Sequence, residues 1–190
     1  MNTYNGGGNH LGQQGLLSQY DSIVGAWVLE KSSRSETMEG YLRCMMVADL
    51  AIEAQLKAEH DHESRNVIAI EGSKFVMHKR TKINHFTEMY ALSQEKVTQA
   101  RSGMKHCTVS LRVPGRLDGI VITTSMPTTQ GQMNLVETRQ LLDRGHVHAQ
   151  ELHLTNLTTG GKCVTRRTWV RVPVTQLDQE SVLEEMCAIP

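Results

Sequence analysis

The feature that most constrains the fold is a series of short β-rich runs that fills most of the chain after residue 64. Turn residues, above all glycine, proline and aspartate, separate neighbouring runs. One further apolar run of this kind precedes residue 31. The sequence therefore predicts ten strands, at residues 23–30, 66–70, 74–80, 85–92, 96–101, 106–113, 117–124, 133–142, 146–154 and 162–172.

The short connections restrict how these strands pair. A parallel crossover needs about a dozen residues or more, so strands joined by short turns pair in antiparallel fashion. Closing such a sheet into a barrel removes its two exposed edges. We therefore predict a mainly β protein: a closed antiparallel up-and-down ten-stranded barrel with a helical lid between the first two strands.

The lid is predicted from the segment between the first and second strands. Ser33 and Glu36 have the spacing of a capping box, which satisfies free backbone amides where a helix begins. Residues 36–57 then show helical periodicity, whereas residues 58–64 have the composition of a charged loop. The pattern does not distinguish one helix from two short ones. The apolar residues at helical spacing are Met38, Leu42, Met45, Ala48, Ile52 and Leu56.

Length and composition bound the class of protein. The 190 residues, 39% of them hydrophobic, suffice for one domain with tails. We predict a disordered leader over residues 1–21, the barrel over residues 22–172, and a tail over residues 173–190 that forms at most a short helix. The formal net charge of zero gives no electrostatic reason to bind nucleic acid. Scattered cysteines and the lack of a signal-peptide core predict a cytoplasmic location.

The predicted last strand leaves two arrangements open. Alternation places Thr165, Arg167 and Trp169 on one face and the valines at 164 and 170 on the other. If the valine face packs against another layer, the arginine is an ordinary surface charge. If the strand closes a barrel, Arg167 and Trp169 point into an enclosed space, where an unpaired arginine costs several kcal/mol in desolvation.

Three motifs in chain order resemble the intracellular fatty-acid-binding protein family, within the calycin group. Gly25-Ala-Trp27 is similar to the family's opening Gly-x-Trp strand. The run Arg-Gln-Leu-Leu-Asp at 139–143 resembles the Arg-x-Leu-x-Asp motif of its eighth strand. Residues 165–171, Thr-Arg-Arg-Thr-Trp-Val-Arg, resemble its final-strand Cys-Thr-Arg-x-Tyr-x-Arg pattern. The similarity covers about residues 22–172.

The resemblance implies a ligand site inside the barrel. In the family, one arginine of the eighth strand and an Arg-x-Tyr pair of the last strand bind a carboxylate, which here implies Arg139, Arg167 and Trp169. Tryptophan offers an N–H donor but, unlike tyrosine, no hydroxyl acceptor. Glu137 shares the face of Arg139 and is a candidate to neutralise it.

The resemblance further implies a cytosolic carrier of a long-chain fatty acid or a similar amphipathic anionic lipid. It implies no enzyme and no cofactor, and it allows transient membrane contact through the lid. Two alternatives stay open: a ligand-free barrel that binds an unknown protein partner, and a haem or retinoid binder. His146 and His148 share a strand face at a metal-ligating spacing, but no third ligand is evident. No catalytic or nucleotide-binding motif occurs in the sequence.

Overall fold

The structure is a computed structural model that describes residues 21–33, 38–81, 85–129 and 131–175. The predicted leader up to residue 20 and the predicted tail beyond residue 175 lie outside the described residues. Ten strands, two α-helices and two short 3₁₀ helices make up the regular structure of the described part. The number and the order of the strands agree with the sequence-based prediction.

The described strands form one antiparallel sheet in which almost every strand pairs with its sequence neighbours. The order is β4-β3-β2-β1-β10-β9-β8-β7-β6-β5, so the first and last strands lie side by side in the middle. The pairing of Trp27 with Arg171 sets the register of these two strands. The strands are β1 (Gly25–Leu29), β2 (Arg65–Glu71), β3 (Lys74–Arg80), β4 (His85–Ala91), β5 (Glu95–Ala100), β6 (Gly103–Leu111), β7 (Gly119–Thr128), β8 (Gly131–Leu142), β9 (Val147–Asn156) and β10 (Lys162–Val172).

The barrel is nearly closed. In the described sheet, β4 and β5 are its two ends and no ladder of backbone hydrogen bonds joins them. An isolated bridge connects Leu92, just after β4, to Val109 in β6, and the Ser93 amide donates to the Val109 carbonyl at 2.6 Å. The prediction of an antiparallel ten-stranded barrel is confirmed, with this one interruption in its ladder.

Two helices occupy the connection between β1 and β2, and we call them together the lid. They are α1 (Glu39–Cys44) and α2 (Asp49–Asp61). Between them Met46 adopts a positive φ of 60°, a conformation that ends a right-handed helix. The lid therefore consists of two helices, which the periodicity had left undecided.

The bounds of the lid helices differ from those of the predicted helix. Among the described residues α1 begins at Glu39, after Met38 at an N-cap position without a side-chain cap, and the Ser33 hydroxyl accepts a hydrogen bond from the Thr168 amide in β10. Glu36 lies outside the described residues, so the capping box stays a prediction. At the other end, α2 continues to Asp61 through the segment predicted as a charged loop. This continuation brings Glu59 into the lid.

Alternate side chains of β10 are buried and exposed as expected for a strand that closes a barrel. Thr165 and Trp169 are buried, whereas Val164 on the opposite face is 52% exposed. The valine face thus points outward, and the face that carries Arg167 and Trp169 lines the interior. Period-two alternation along a strand requires this separation once one face is enclosed.

The interior contains a large apolar cluster around Trp27, Phe75 and Trp169. A second apolar cluster joins the lid to the barrel, because Tyr41 and Leu42 of α1 belong to the same cluster as residues of β8 and β9. Each fully buried side chain of this size contributes about 1.5–3 kcal/mol through the hydrophobic effect. The second cluster therefore holds α1 on the barrel.

Arg171 joins the beginning of the barrel to its end. Its guanidinium donates to the backbone carbonyls of Ser22, Val24 and Gly145, at 2.5, 2.9 and 2.7 Å. The same group lies 4.2 Å from the ring centroid of Trp27. Trp27 of the first-strand motif and Arg171 of the last-strand motif are therefore in direct contact. This contact stabilises one end of the barrel.

Candidate functional site

The structure brings the three predicted site residues together. Arg139 comes from β8, Arg167 and Trp169 come from β10, and all three line one cavity of about 280 Å³. The two guanidinium groups lie 5.3 and 5.7 Å from the indole ring centroid of Trp169. Strands that are not adjacent to each other thus place two cations on one aromatic side chain.

Arg139 is the most deeply buried charge of the site, with 1% of its surface exposed. Its Nε donates to Glu137 Oε1 at 2.5 Å, and its Nη1 lies 3.2 Å from His148 Nε2. A guanidinium has only donors, so this histidine nitrogen accepts. With its amide oxygen turned toward Arg139, Asn66 accepts from Nη1 at 3.1 Å. Three neighbours therefore accept hydrogen bonds from Nε and Nη1 of Arg139 within the protein.

Gln150 of β9 links this group to the tryptophan. Its amide nitrogen donates to Glu137 Oε1 at 2.9 Å, while its amide oxygen accepts from Trp169 Nε1 at 2.8 Å. The indole N–H that replaces the expected tyrosine hydroxyl is therefore used within the protein. A connected buried network runs from Trp169 through Gln150 and Glu137 to Arg139, and such networks hold their members in one arrangement.

Arg167 has a different kind of partner. Its Nη2 donates to Glu59 Oε1, which comes from the last turn of α2 in the lid. The side chains of the pair are 10% and 12% exposed. Within the described part of the chain, Arg167 Nε and Glu59 Oε2 are buried without a hydrogen-bond partner. The pair therefore leaves one buried donor and one buried acceptor without a hydrogen bond.

The electrostatics of the site follow from this burial. Desolvation would raise the pKa of the Glu137 carboxyl, but the charges of Arg139 and Lys79 and its hydrogen bonds lower that pKa below the ordinary value. Burial, reinforced by the charges of Arg139 and Arg171, brings the pKa of His148 well below 6.5. Burial also lowers the pKa of Arg167, although Glu59 opposes the effect. The site thus contains an ionised carboxylate and a neutral imidazole at pH 7.

The cavity runs from the buried network to the surface. Its deep end is formed by Arg139, which is almost wholly inaccessible, and its lining also includes Phe86, which is exposed. The helix α2 forms one side, and the facing ends of β3 and β4 form another. The remaining lining residues are Gln55, Ala58, Glu59, His62, Glu63, Ser64, Asn66, Lys79, Thr81, Gln150, Arg167 and Trp169.

Four residues of the site were not predicted as site residues: Glu59, Asn66, His148 and Gln150. The sequence did contain a signal for His148 and Gln150, because period-two alternation places both side chains on the inward face of β9 once that strand belongs to a barrel. Glu59 could not be found in this way, because its segment was assigned to a loop. The described residues hold no group of three or more side chains suited to bind a metal ion.

The fold and site define a class of protein: a lidded antiparallel barrel with a charged cavity that opens to the surface. No family model matches the sequence, and no curated protein matches it either. Solved structures are similar. The apo form of Caenorhabditis elegans lipid binding protein 8 has a TM-score of 0.61 at 16% identity, covering 83% of this chain and 100% of that one.

Two other structures show the same likeness. The Schistosoma mansoni fatty acid binding protein in complex with arachidonic acid has a TM-score of 0.58 at 13% identity, over 80% of this chain and 98% of that one. A secretory abundant heat soluble protein of Ramazzottius varieornatus has a TM-score of 0.56 at 11% identity, over 80% and 96%. The chain therefore has the fold of the intracellular lipid-binding proteins, and the predicted resemblance is confirmed for the fold.

No helix among the described residues combines the length and the apolar character needed to cross a membrane. The described cysteines, Cys44, Cys107 and Cys163, are free thiols.

Proposed function

We propose that this protein binds and transports a single-chain amphipathic lipid, with a long-chain fatty acid or a similar anion as the ligand. The observation that carries the proposal is the convergence of Arg139, Arg167 and Trp169 on one cavity that reaches the surface beside the lid. The fold of proteins whose names include lipid or fatty acid binding supports it. Fold likeness alone does not imply function, so the argument rests on the site.

The energetics favour a ligand with one tail and one polar head. An apolar tail gains about 0.8 kcal/mol for each methylene removed from water. The cavity of about 280 Å³ is at the small end of ligand pockets, which span roughly 300–1,000 Å³. This volume favours one acyl chain over two. The apolar side chains of the cavity lining that the tail contacts are Ala58, Phe86 and Trp169.

Arg167 is the group that we assign to the head group of the ligand. Arg139 already donates to three neighbours, whereas Arg167, which also lines the cavity, donates to one carboxylate and has a buried Nε without a partner. A carboxylate bound there gains charge-assisted hydrogen bonds. Arg139 then acts through its contact with Trp169, which it holds beside the bound head group.

We further propose that the carrier acts in the cytoplasm without catalysis, and that the lid opens transiently to admit the ligand. Exposed Phe86 at the cavity and exposed Leu50 on α2 supply apolar surface with which the lid region contacts a membrane during transfer.

The test begins with the purified protein. Mass spectrometry of an organic extract identifies any lipid that it carries, and titration of the delipidated protein with oleate, followed by Trp fluorescence, gives the affinity. Arg167→Gln is expected to weaken oleate binding by about tenfold to a hundredfold, which is the usual scale for hydrogen bonds to a charged group. The matched control is Arg166→Gln on the same strand, whose side chain is 81% exposed. Equal oleate affinity in the parent and in Arg167→Gln would contradict the assignment.

A second candidate function is a protein-interaction module without a lipid ligand. The specific observation in its favour is that internal carboxylates already balance both arginines, Glu137 for Arg139 and Glu59 for Arg167. A barrel neutralised in this way is stable without a bound anion. If the purified protein carries no lipid and binds none, this function replaces the carrier.

A further inference from the structure

The Glu59–Arg167 ion pair connects the lid to the last strand of the barrel across the cavity. Glu59 lies in the last turn of α2 and Arg167 in the middle of β10, so 107 residues of chain separate them. Both side chains are close to nine-tenths buried, and both line the cavity. A buried ion pair between elements so distant in sequence restricts their relative movement.

The pair is incompletely satisfied. A guanidinium and a carboxylate are able to form two parallel hydrogen bonds, but in the described structure Arg167 Nε and Glu59 Oε2 have no partner. Unsatisfied buried polar atoms cost free energy. The departure of Glu59 therefore relieves its own buried oxygen and frees Arg167 Nη2, the donor that a carboxylate entering the cavity takes up.

We propose that Glu59 occupies, in the empty barrel, the position on Arg167 that the ligand's carboxylate takes, and that ligand binding displaces Glu59 and releases the end of α2. This inference rests on the proposed carrier function and adds to it a coupling between ligand binding and the lid. The entering carboxylate replaces Glu59 as the counter-charge, so Arg167 is paired with one carboxylate before and after binding. The displaced carboxylate returns to water.

The corresponding pair at Arg139 does not have this property. Glu137 is two residues from Arg139 on the same strand, and Gln150 donates a further hydrogen bond to it. That carboxylate is held on a strand in the interior of the sheet by two neighbouring donors. Glu59, in contrast, precedes exposed His60 and Asp61 at the end of a helix. A small outward movement of this helix end exposes it.

The first experiment compares two ligands that differ only in the head group. Oleate and oleyl alcohol have the same tail, but only oleate competes with Glu59 for Arg167. In Glu59→Gln the competitor is removed, and oleate is expected to bind about tenfold tighter or more, given the strength of charged hydrogen bonds. The affinity for oleyl alcohol is expected to stay within about twofold, because no charged partner on Arg167 has to be displaced.

The matched control is Glu53→Gln, which removes the same charge from an exposed position on the same helix. This variant is expected to bind oleate and oleyl alcohol as tightly as the unmodified protein does. If Glu59→Gln binds oleate no more tightly than the unmodified protein and Glu53→Gln do, the displacement is refuted.

The second experiment needs no variant, so it remains decisive if Glu59→Gln does not fold. Hydrogen exchange of the unmodified protein is followed by mass spectrometry with and without saturating oleate. Amides in the last turns of α2 are expected to exchange faster when oleate is bound, whereas those of β8 and β9 are expected to exchange no faster. Unchanged or slower exchange at α2 would overturn the release of the helix.

The two experiments separate this inference from the proposed function. If the unmodified protein binds neither oleate nor oleyl alcohol, the carrier function itself fails and the displacement fails with it. If oleate binds but neither the variant nor the exchange of α2 responds, the carrier function stands and only the displacement is wrong.

Discussion

At the scale of single residues, the interior of the barrel is defined by charges that the protein itself balances. Arg139 and Glu137 are 1% and 9% exposed at the side chain, and their hydrogen bonds leave the pair well satisfied. Removal of one member of such a pair leaves an uncompensated buried charge, which is far more costly than removal of both. The stability of the fold therefore depends on which charge is changed.

Arg139→Gln is accordingly expected to lower the free energy of unfolding by about 3–5 kcal/mol. Most of this loss comes from Glu137, which stays buried in the absence of its main counter-charge. Urea denaturation followed by circular dichroism measures the change. The double variant Arg139→Gln with Glu137→Gln should recover most of the lost stability. A double variant that is less stable than Arg139→Gln alone would show that the charge pair is not the cause.

His148 gives the protein a predictable response to acid. Its pKa in the fold is well below 6.5 because of burial and the nearby charges of Arg139 and Arg171. As the pH falls below 6.5, the unfolded chain takes up a proton on this residue and the folded protein does not. The free energy of unfolding is therefore expected to fall, by up to about 1.4 kcal/mol per pH unit for one proton.

Denaturation at several pH values between 8 and 5 tests this response. His148→Gln should flatten the profile below pH 6.5, although its stability at pH 8 changes as well. His153→Gln, at an exposed position on the other face of β9, serves as the control and should keep the slope of the parent. A parent and a His148→Gln variant with the same slope would mean that another group takes up the proton.

At the scale of elements, the barrel has one weak boundary. The strands β4 and β5 each pair with a single neighbour, whereas β8 pairs with β7 and β9 along most of its length. The residues of β5 are also almost all exposed. Strands with few buried contacts and one hydrogen-bonded edge open at lower free energy than strands in the middle of a sheet.

Native-state hydrogen exchange should reveal this boundary. Amides of β5 are expected to exchange faster than those of β8 and β9, and by sub-global opening rather than by complete unfolding. Added denaturant distinguishes the two routes, because global unfolding depends much more steeply on its concentration. Equal protection of β5 and β8 would show that the barrel opens only as a whole.

At the scale of the whole molecule, the same chain path is found in proteins that share 11–16% of their residues with this one. This fold tolerates extensive amino-acid substitution because short antiparallel connections and an apolar interior are enough to specify it. We therefore retain the proposed division into a leader, a barrel over residues 22–172 and a tail. The described pairing of β1 with β10 joins the first strand of this proposed barrel to its last.

A chain that lacks residues 1–19 is expected to unfold within about 2 °C of the parent, because a polar, glycine-rich segment buries little apolar surface. Differential scanning calorimetry of the two proteins at equal concentration measures the difference. The parent's oleate affinity should also be preserved. A midpoint lowered by more than about 5 °C, which corresponds to more than about 1 kcal/mol for a domain of this size, would show that the leader packs on the barrel.

The sequence by itself determined the number and order of the strands, the place of the lid and the two alternating faces of β10, whereas the structure decided which of these faces points inward. Local signals suffice for these features, since turn residues and period-two alternation act within a few neighbouring residues. The two arginine motifs also identified Arg139, Arg167 and Trp169, which the fold brings to one cavity.

Only the tertiary structure decided which partners these residues have. Glu59 is 108 positions from Arg167 in sequence, and it reaches that arginine because α2 continues past the predicted end of the helix. Whether Glu137 contacts Arg139 or Arg167 likewise depends on rotamers and on Gln150 of the neighbouring strand. Side-chain pairing inside a barrel is set by what the closed sheet and the packed lid enclose together, and no local pattern of residues contains that information.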